Sequence, residues 1–316
     1  MSRLLLTLGE TMALLAANEP GPLRHAHELR VRVGGAESNV AIGVRRLGGR
    51  AAWIGRVGAD ELGELVLRTL RSEDVDVRGA RVDPGAATSL MIKEQRTATT
   101  SRVTYYRDGG PGSRLSSADV EPSVVAGAGV VHLTGITLAL SDSASDAVHA
   151  AARTARAHGV IVSLDVNYRA ALWSAADARA EIDRLLPLVD ICFVGHAEAR
   201  TLGYTGEPVA LARALQATGP RTVVVKRGSE GAVAVVEDEV RDVPAVPVPA
   251  IDAVGAGDAF AAGYLADLLA GRPAEERLRT AAACGAYAVT TRGDWEALPS
   301  RADLALLDHR DGEVLR

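Results

Sequence analysis

The sequence predicts an α/β fold, a three-layer α/β/α sandwich with a mostly parallel central sheet and a second, smaller β-sheet. Two patterns carry this prediction. Short apolar runs rich in β-branched residues, such as VVHLTG, VIVSLDVN, DICFVG and TVVVKRG, are typical of strands covered on both faces of a parallel sheet. Helical periodicity fills the stretches between them, and this alternation indicates helices on both sides of one sheet.

The elements of the sandwich follow in order along the chain. RLLLTLG at 3–9 predicts a buried first strand that ends in a glycine turn, and AAWIGRVG at 51–58 predicts a strand and a turn. SNVAIGVRRLG at 38–48 has helical spacing and a glycine stop. The remaining predicted helices span 60–74, 142–158, 177–186, 196–202 and 208–217.

Two segments depart from this alternation. Residues 11–33 and 87–108 alternate polar and apolar side chains without a helix, which predicts strands with one face wet or turned towards a ligand. We expect them to form a small β-sheet lid over one end of a core made of residues 1–10, 34–86 and 109–316. A pair of ordinary surface hairpins is the alternative.

Composition restricts the class of protein. Of 316 residues 47% are hydrophobic and 24% charged, and the net charge is −5. This acidic balance argues against a nucleic-acid surface and provides no polybasic membrane anchor.

Gly9 and Glu10 interrupt the apolar N-terminal run, which favours a first strand of a cytoplasmic protein over a signal peptide. Cys192 and Cys284 have apolar or small neighbours, which predicts buried thiols in a reducing compartment.

Several common catalytic motifs are absent from the sequence. It contains no GxxxxGK[ST] phosphate loop, no HExxH, no clustered Cys/His ligands and no GxSxG elbow. The most common sequence signals of a P-loop nucleotide enzyme, a zinc site or an α/β-hydrolase are therefore missing. We predict no metal ion held by protein side chains alone.

The strongest local signal is IDAVGAGDAFAAGYLADLLA at 251–270, where a glycine turn precedes an apolar helix. The free N–H groups and the positive dipole at Gly255, Ala256 and Gly257 form a site for an anion such as phosphate. Asp258 follows in the first helical turn. The pattern alone makes Asp258 either a catalytic carboxylate or a helix-start residue favoured by the dipole. The motif lies too close to the C-terminus for a dinucleotide fingerprint.

Three further stretches place polar residues beside glycines or strand ends. In VGGAESNVAIGVRRLGG at 33–49, Gly34 and Gly35 let a ligand approach the backbone, and Asn39 offers a donor and an acceptor. In LDVNYR, Arg169 follows a buried strand, where ligands of open α/β sheets bind, and can clamp a carboxylate or phosphate. KRGSEGA at 226–232 is another strand end followed by a glycine turn.

DAVGAGDAFAAGYL and GGAESNVAIGVRRLGG together resemble the two signatures of the ribokinase-like (phosphofructokinase B type) sugar kinase family. The similarity runs in order along the whole chain, including the strand insertions that form the lid of that family. Within the family, TYYRDG, HLTGITLAL, SLDVNYR, VVKRGSEGA and TTRGDWEALP are most similar to kinases of 2-keto-3-deoxygluconate. The resemblance implies a ribokinase-like fold and an ATP- and Mg²⁺-dependent, cytoplasmic kinase that phosphorylates the 6-hydroxyl of this sugar acid.

The resemblance also implies a role for each matching position. Asp258 would be the general base that takes the proton from the sugar hydroxyl. Asn39 would hold a hydroxyl. Mg²⁺ would bind mainly through the ATP phosphates, and a monovalent cation near Asp252 stays open. The transferred phosphoryl group would lie against Gly255, Ala256 and Gly257. The sugar acid would contact Gly35, Tyr105, Arg107, Arg169 and Asp294, and ATP would contact Asn167, Lys226, Gly228, Ser229, Gly231, Gly255 and Gly257.

Other interpretations stay open from the sequence alone. Tyr105 and Arg107 alternate on a predicted lid strand and are simple lid surface in one interpretation. Asp294 can cap the turn at RGDW, and Arg169 and Lys226 can be no more than polar ends of strands. The substrate can be fructose, a pentose or another sugar acid. A non-catalytic sugar or nucleotide sensor on the same fold is a further alternative.

Two departures from the family pattern bear on specificity. Met91 stands where such sugar-acid kinases tend to present an aromatic ring on the lid, and Ala282 where relatives often have an asparagine near adenine.

We assign no role to His132 or His196, because single histidines beside strand ends are usually structural. The edges of the lid strands need covering, which predicts a homo-oligomer that pairs its lids.

Overall fold

The structure is a computed structural model that describes residues 3–17, 19–97 and 100–308. The ends of the predicted core, 1–2 and 309–316, and positions 18, 98 and 99 of the predicted lid lie outside the described residues. The strands are β1 Leu4–Leu8, β2 Met12–Ala17, β3 Leu29–Gly34, β4 Arg50–Ile54, β5 Arg56–Gly58, β6 Arg81–Asp83, β7 Leu90–Gln95, β8 Ser101–Tyr106, β9 Val130–Thr134, β10 Ile161–Asp165, β11 Ile191–Gly195, β12 Thr222–Lys226, β13 Ala232–Val236 and β14 Glu239–Val243.

Helices connect most of these strands. They are α1 Ala36–Arg46, α2 Glu61–Ser72, α3 Pro122–Ala126, α4 Gly135–Leu138, α5 Asp142–Ala157, α6 Ala175–Leu185, α7 His196–Thr201, α8 Pro208–Gln216, α9 Ala256–Leu269, α10 Ala274–Ala288 and α11 Arg301–Leu304. Each helix predicted from the sequence is present within a few residues of its predicted bounds. In the part of the chain that the structure describes, no helix is both long enough and apolar enough to span a bilayer.

The central sheet has eight strands in the order β14-β13-β12-β11-β10-β9-β1-β4. Pairing is parallel from β12 to β4, and β13 and β14 extend the sheet as an antiparallel edge. The apolar runs that predicted doubly covered strands are β9, β10, β11 and β12, the middle of this sheet. The predicted parallel α/β sheet is therefore confirmed.

Side chains alternate between two hydrophobic cores, one on each face of the central sheet. Leu6 and Val223 pack into the core that includes α5, α6 and α8. Their neighbours Leu5 and Val224 pack into the opposite core with α1, α9 and α10. Burial on both faces explains why these strands read as continuous apolar runs rather than as alternating ones. The three-layer arrangement is the one predicted.

A separate four-stranded sheet, which we call the lid sheet, has the strand order β3-β2-β7-β8. β2 and β3 come from the first alternating segment of the sequence, and β7 and β8 come from the second. β2 pairs with β7 in parallel, so the lid sheet joins two segments that are distant in the chain. One of its faces carries Met12, Leu14 and Met91, which are buried together.

Candidate active site

A cleft lies between the carboxyl ends of the central strands and the buried face of the lid sheet. Its cavity has a volume of about 790 Å³. β10, β11 and β12 end at Asp165, Gly195 and Lys226, which all line the cavity, as expected for a ligand site of an open parallel sheet. The predicted site residues in its wall are Gly35, Asn39, Tyr105, Arg107, Asn167, Arg169, Lys226, Asp252, Gly255, Gly257, Asp258 and Asp294.

The N-terminus of α9 forms one end of the cavity. Gly255 precedes the helix with φ 76°, and a Cβ at this position would lie 2.9 Å from the Asp294 carbonyl oxygen. Only glycine suits such a left-handed, crowded position. The helix therefore starts abruptly at Ala256, whose N–H donates to the Ala253 carbonyl oxygen at 3.4 Å, while the N–H groups of Gly257 and Asp258 have no partner inside the helix. These groups and the helix dipole favour an anion at this end of the cavity.

Asp258 is the third residue of α9, next to that anion site. Its Oδ2 accepts a hydrogen bond from the Asn39 side-chain amide at 2.8 Å. Removal from water raises the pKa of the Asp258 carboxyl to about 6, against the Asn39 hydrogen bond, and the negative charge of Asp165 contributes in the same direction. Asp258 is thus held in place by one donor and titrates close to neutrality, as a general base should.

Lys226 lies beside the start of α9. Its ammonium nitrogen would be 3.2 Å from a Cβ built on Gly257, and it forms a 2.6 Å ion pair with Oδ2 of Asp165. Burial opposes the charge of Lys226, but Asp165 and Glu198 hold its pKa above the usual value. A positive charge therefore stands at the anion site, where it is paired with the Asp165 carboxylate.

The lid wall of the cavity carries Tyr105 and Arg107 on β8 and just beyond it. Arg107 is 9% exposed and pairs with the buried carboxylate of Glu10, whose other oxygen accepts a 2.7 Å hydrogen bond from Ser89. The guanidinium carbon lies 5.5 Å from the centre of the Tyr105 ring. Arg107 is thus fixed by Glu10 and faces the cavity rather than bulk solvent. Tyr105 lines the same cavity but is 38% exposed, so the interpretation of lid surface stays open for this residue.

Asp294 closes the floor beneath the lid. It is 5% exposed, and its Oδ1 has no hydrogen-bond partner among the described residues. Burial raises the pKa of this carboxyl to about 7, while the Lys93 ammonium opposes the shift. A Cβ on Gly34 would lie 2.4 Å from Asp294 Oδ2, so the glycine leaves room for this carboxyl. A buried polar oxygen usually has a hydrogen-bond partner, and a ligand hydroxyl in the cavity could supply one here.

The remaining predicted residues divide into two groups. Asn167 lines the cavity with φ 41°, a left-handed conformation that asparagine tolerates, and the exposed Arg169 follows it at the open side. Gly228, Ser229 and Gly231 lie in the turn after β12, and they are not among the residues that line the cavity. The structure therefore brings the predicted sugar-site residues together, but it leaves the predicted glycine turn outside this wall.

Sequence reasoning missed four carboxylates in the cleft: Glu10, Glu37, Asp165 and Glu198. Asp165 and Glu198 directly end or follow central strands, so the strand-end rule that selected Arg169 would have found them. Burial and the charge of Asp165 raise the pKa of Glu198. Glu37 is fully buried, and no local pattern distinguishes it from an ordinary helix-start glutamate.

This site is built to transfer an anionic group to a neutral nucleophile, because it places a carboxylate base beside fixed N–H dipoles and an ammonium group. The family model described as pfkB family carbohydrate kinase matches residues 2–301. The chain therefore belongs to the pfkB family of carbohydrate kinases. The family resemblance noted in the sequence and the expectation of a sugar kinase are confirmed.

Three curated relatives are similar over most of the chain. A 2-dehydro-3-deoxygluconokinase of Thermoproteus tenax is 39% identical, with 94% of this chain and 91% of the relative covered. A 2-dehydro-3-deoxygluconokinase of Bacillus subtilis is 35% identical over 95% and 93% of the two chains. A 2-dehydro-3-deoxygalactonokinase of Haloferax volcanii is 33% identical over 93% of each.

Solved structures confirm the ribokinase-like fold. A putative ribokinase II from E. coli, in complex with ATP and Mg²⁺, superposes with a TM-score of 0.90 at 27% identity and covers 98% of this chain and 99% of its own. A PfkB protein from Polaromonas sp. JS666 gives a TM-score of 0.88 at 34% identity over 96% and 99%.

Proposed function

We propose that this protein transfers the γ-phosphoryl group of ATP to the 6-hydroxyl of 2-keto-3-deoxygluconate, giving 2-keto-3-deoxy-6-phosphogluconate and ADP. The observation that carries the proposal is one cavity that contains both the Asp258 base and two guanidinium groups, those of Arg107 and Arg169. A neutral sugar has no use for these cations, whereas the carboxylate of a sugar acid pairs with them. The names of two similar relatives support this choice.

In the proposed reaction the hydroxyl oxygen attacks the γ-phosphorus as its proton moves to Asp258, and the bond to the β–γ bridging oxygen breaks. Asn39 keeps the accepting carboxylate oriented. The N–H groups at Gly255, Ala256 and Gly257, together with Lys226, stabilise the negative charge on the phosphoryl oxygens. Catalysis of this kind depends mainly on positioning and fixed dipoles, and the cavity supplies both.

We propose that Mg²⁺ enters with the ATP phosphates, as a structural neighbour solved with both ligands suggests. No group of three or more potential metal-binding side chains occurs among residues 3–17, 19–97 and 100–308. Asp165 fits a supporting role, because its buried Oδ1 has no partner in that same part of the chain. Mg²⁺ would neutralise charge on the transferring phosphate.

ADP release over a panel of sugars tests the substrate. The panel contains 2-keto-3-deoxygluconate, its galactonate epimer, gluconate, fructose and ribose. We expect the first to have the highest kcat/KM, and Arg169→Ala to lower kcat/KM for the acids while the neutral sugars change little. A neutral sugar as best substrate would reject the proposed acid. No ADP release with any sugar would favour the sensor instead.

We propose that the lid sheets of two subunits pair. Val31 on β3 is 56% exposed and stands in register with Leu15, which in turn pairs with Ile92 on β7. These side chains form an apolar row across the face of the lid sheet that is turned away from the cavity. Light scattering tests this pairing: wild type should be a dimer or larger, and Val31→Asp should shift it towards the monomer. A monomeric wild type would refute it.

We also propose a cytoplasmic location and a division of the chain into core and lid as set out above. Both cysteines are buried free thiols, as suits a reducing compartment. Fractionation of the native host tests the location. Limited proteolysis with and without sugar and ATP tests whether the lid segments act as a unit, since ligand should protect both segments together.

A further inference from the structure

A partly buried ion pair joins the two walls of the cleft. Lys93 on β7 places its ammonium nitrogen 2.5 Å from Oδ2 of Asp252. The two side chains are only 12% and 13% exposed. β7 belongs to the lid sheet, whereas Asp252 lies in the segment that leads into α9. The pair is therefore a direct charge contact between the lid sheet and the backbone that forms the anion site.

Asp252 also organises that backbone. Its Oδ1 accepts a hydrogen bond from the Val254 N–H at 3.2 Å. The N–H groups of Ile251 and Asp252 donate to the Val289 carbonyl oxygen at 2.7 and 3.2 Å, which ties the segment to the end of α10. Gly255, where the anion site begins, is the next residue after Val254. A displacement of the Asp252 side chain would therefore shift the N–H groups of the anion site, which begins three residues further along the chain.

The small number of lysines in this chain also draws attention to the ion pair of Lys93 with Asp252. Lys93 and Lys226 are the two lysines of the sequence, and all other basic residues among the 35 are arginines. Each lysine lines the cavity and pairs with an aspartate, Lys93 with Asp252 and Lys226 with Asp165. An ammonium is a compact point charge, whereas guanidinium is a wide planar fork. A chain that otherwise uses arginine keeps lysine at the two enclosed positions where a small cation meets a carboxylate.

We infer that Lys93 is a positioning residue whose ammonium takes the place of a dissolved monovalent cation at Asp252 and couples lid position to the shape of the anion site. The inference rests on the proposed function, because the anion site acts there on a phosphoryl group. Both oxygens of Asp252 already have a partner, the Lys93 ammonium and the Val254 N–H. A dissolved cation at Asp252 would therefore have to displace the Lys93 ammonium, which already places a positive charge against this carboxylate.

A second cavity gives access to the pair for a chemical test. It has a volume of about 340 Å³ and is lined by Lys93, Asp252, Arg30 and Arg292 among others. A side chain shortened at Lys93 would open this space to a small cation from solvent. Arg30 is exposed and lies on the same face of the lid sheet, so it provides a matched position for removal of one positive charge.

The test compares Lys93→Ala, Lys93→Met and Arg30→Ala in ADP-release assays at constant ionic strength, with choline, potassium, ammonium or methylammonium chloride. We expect wild type and Arg30→Ala to be indifferent to the cation. Lys93→Ala should lose roughly 10- to 100-fold in kcat in choline, because small displacements of a catalytic group cost that much. Potassium, ammonium or methylammonium should restore most of this loss. Lys93→Met, which fills the space without a charge, should lose activity and not be restored.

Hydrogen exchange of residues 251–257 is the second measurement and needs no substrate. Exchange should be faster in Lys93→Ala than in wild type and slower again when ammonium is added, with circular dichroism showing that each variant is folded. The inference would be overturned if Lys93→Ala had the kcat and the exchange rate of wild type. Several-fold activation of wild type by potassium would also overturn it. If wild type phosphorylates no sugar, the proposed function fails, while the exchange result still decides the role of Lys93.

Discussion

The two walls of the cleft are built in different ways. The core wall consists of strand ends and a helix start, so Asp165, Lys226 and Asp258 lie on elements packed into the large hydrophobic cores. The lid wall is one layer of four short strands with a small buried cluster of its own. Its functional side chains are held instead by ion pairs to the core, Arg107 by Glu10 and Lys93 by Asp252. Both walls contain ion pairs, but the pair of the core wall lies within that wall, whereas the pairs of the lid wall join it to the core.

The largest expected effect lies on the core wall. Asp258→Asn keeps the shape of the side chain but removes the proton acceptor, so kcat should fall by at least ~10³. ATP binding, measured by calorimetry, should change little because the residue acts on the hydroxyl. Asp252→Asn is not a suitable control, since it touches the same helix start, and the surface change Asp142→Asn serves instead. Near-normal turnover of Asp258→Asn would contradict the assignment of the base.

Substitutions in the lid wall should change KM for the sugar rather than kcat. Arg107→Lys retains a charge for Glu10 but loses the planar fork, so KM for the sugar acid should rise about 10-fold with little change in kcat. Arg102→Lys, on the same strand with its side chain on the other face of the lid sheet, is the matched control. Steady-state kinetics with both variants measures the difference. A fall in kcat alone would place Arg107 in the chemical step.

The pH dependence follows from the pKa of Asp258, raised to about 6 by burial. The base must be ionised, so kcat/KM should fall tenfold per pH unit below this pKa. The free energy of unfolding changes in the opposite direction. Because the folded state raises the pKa of this carboxyl, its contribution to stability is lost as the pH rises through about 6. Asp258→Asn should therefore have a higher Tm than wild type at pH 7.5 and a similar Tm at pH 4.5. An unchanged Tm difference across this range would contradict the shift.

The smallest effect is expected at Glu37. This buried carboxyl accepts hydrogen bonds from Thr134 and Thr137 at 2.6 and 2.5 Å, and burial raises its pKa to about 7. Because it is already half protonated near neutrality, the neutral isostere in Glu37→Gln should change kcat less than about twofold and Tm by about 2 °C or less. Thr134→Val, which removes one donor, should cost more stability. A tenfold loss of kcat in Glu37→Gln would show that its charge is used.

What the sequence could predict depends on whether a feature is local in the chain. On the core wall, the strand-end rule and the glycine turn before α9 are local patterns, and they gave Arg169 and Asp258 as candidates, although Asp165 and Glu198 were not selected. The lid strands were also recognised from their alternation. Pairings such as Lys93 with Asp252 and Arg107 with Glu10 join residues 159 and 97 positions apart, so no local pattern predicts them. Glu37 was missed for the same reason, because its partners lie on β9 and α4.

The scarcity of lysine has a practical consequence for covalent chemistry. An amine-directed acylating reagent finds two side-chain targets in the whole chain, and both lie in the cleft, 12% and 19% exposed. Labelling at surface lysines, which usually dominates such experiments, does not occur. Progressive acylation followed by mass spectrometry therefore reports directly on the opening of the cleft, and immobilisation through side-chain amines would block the site that it was meant to display.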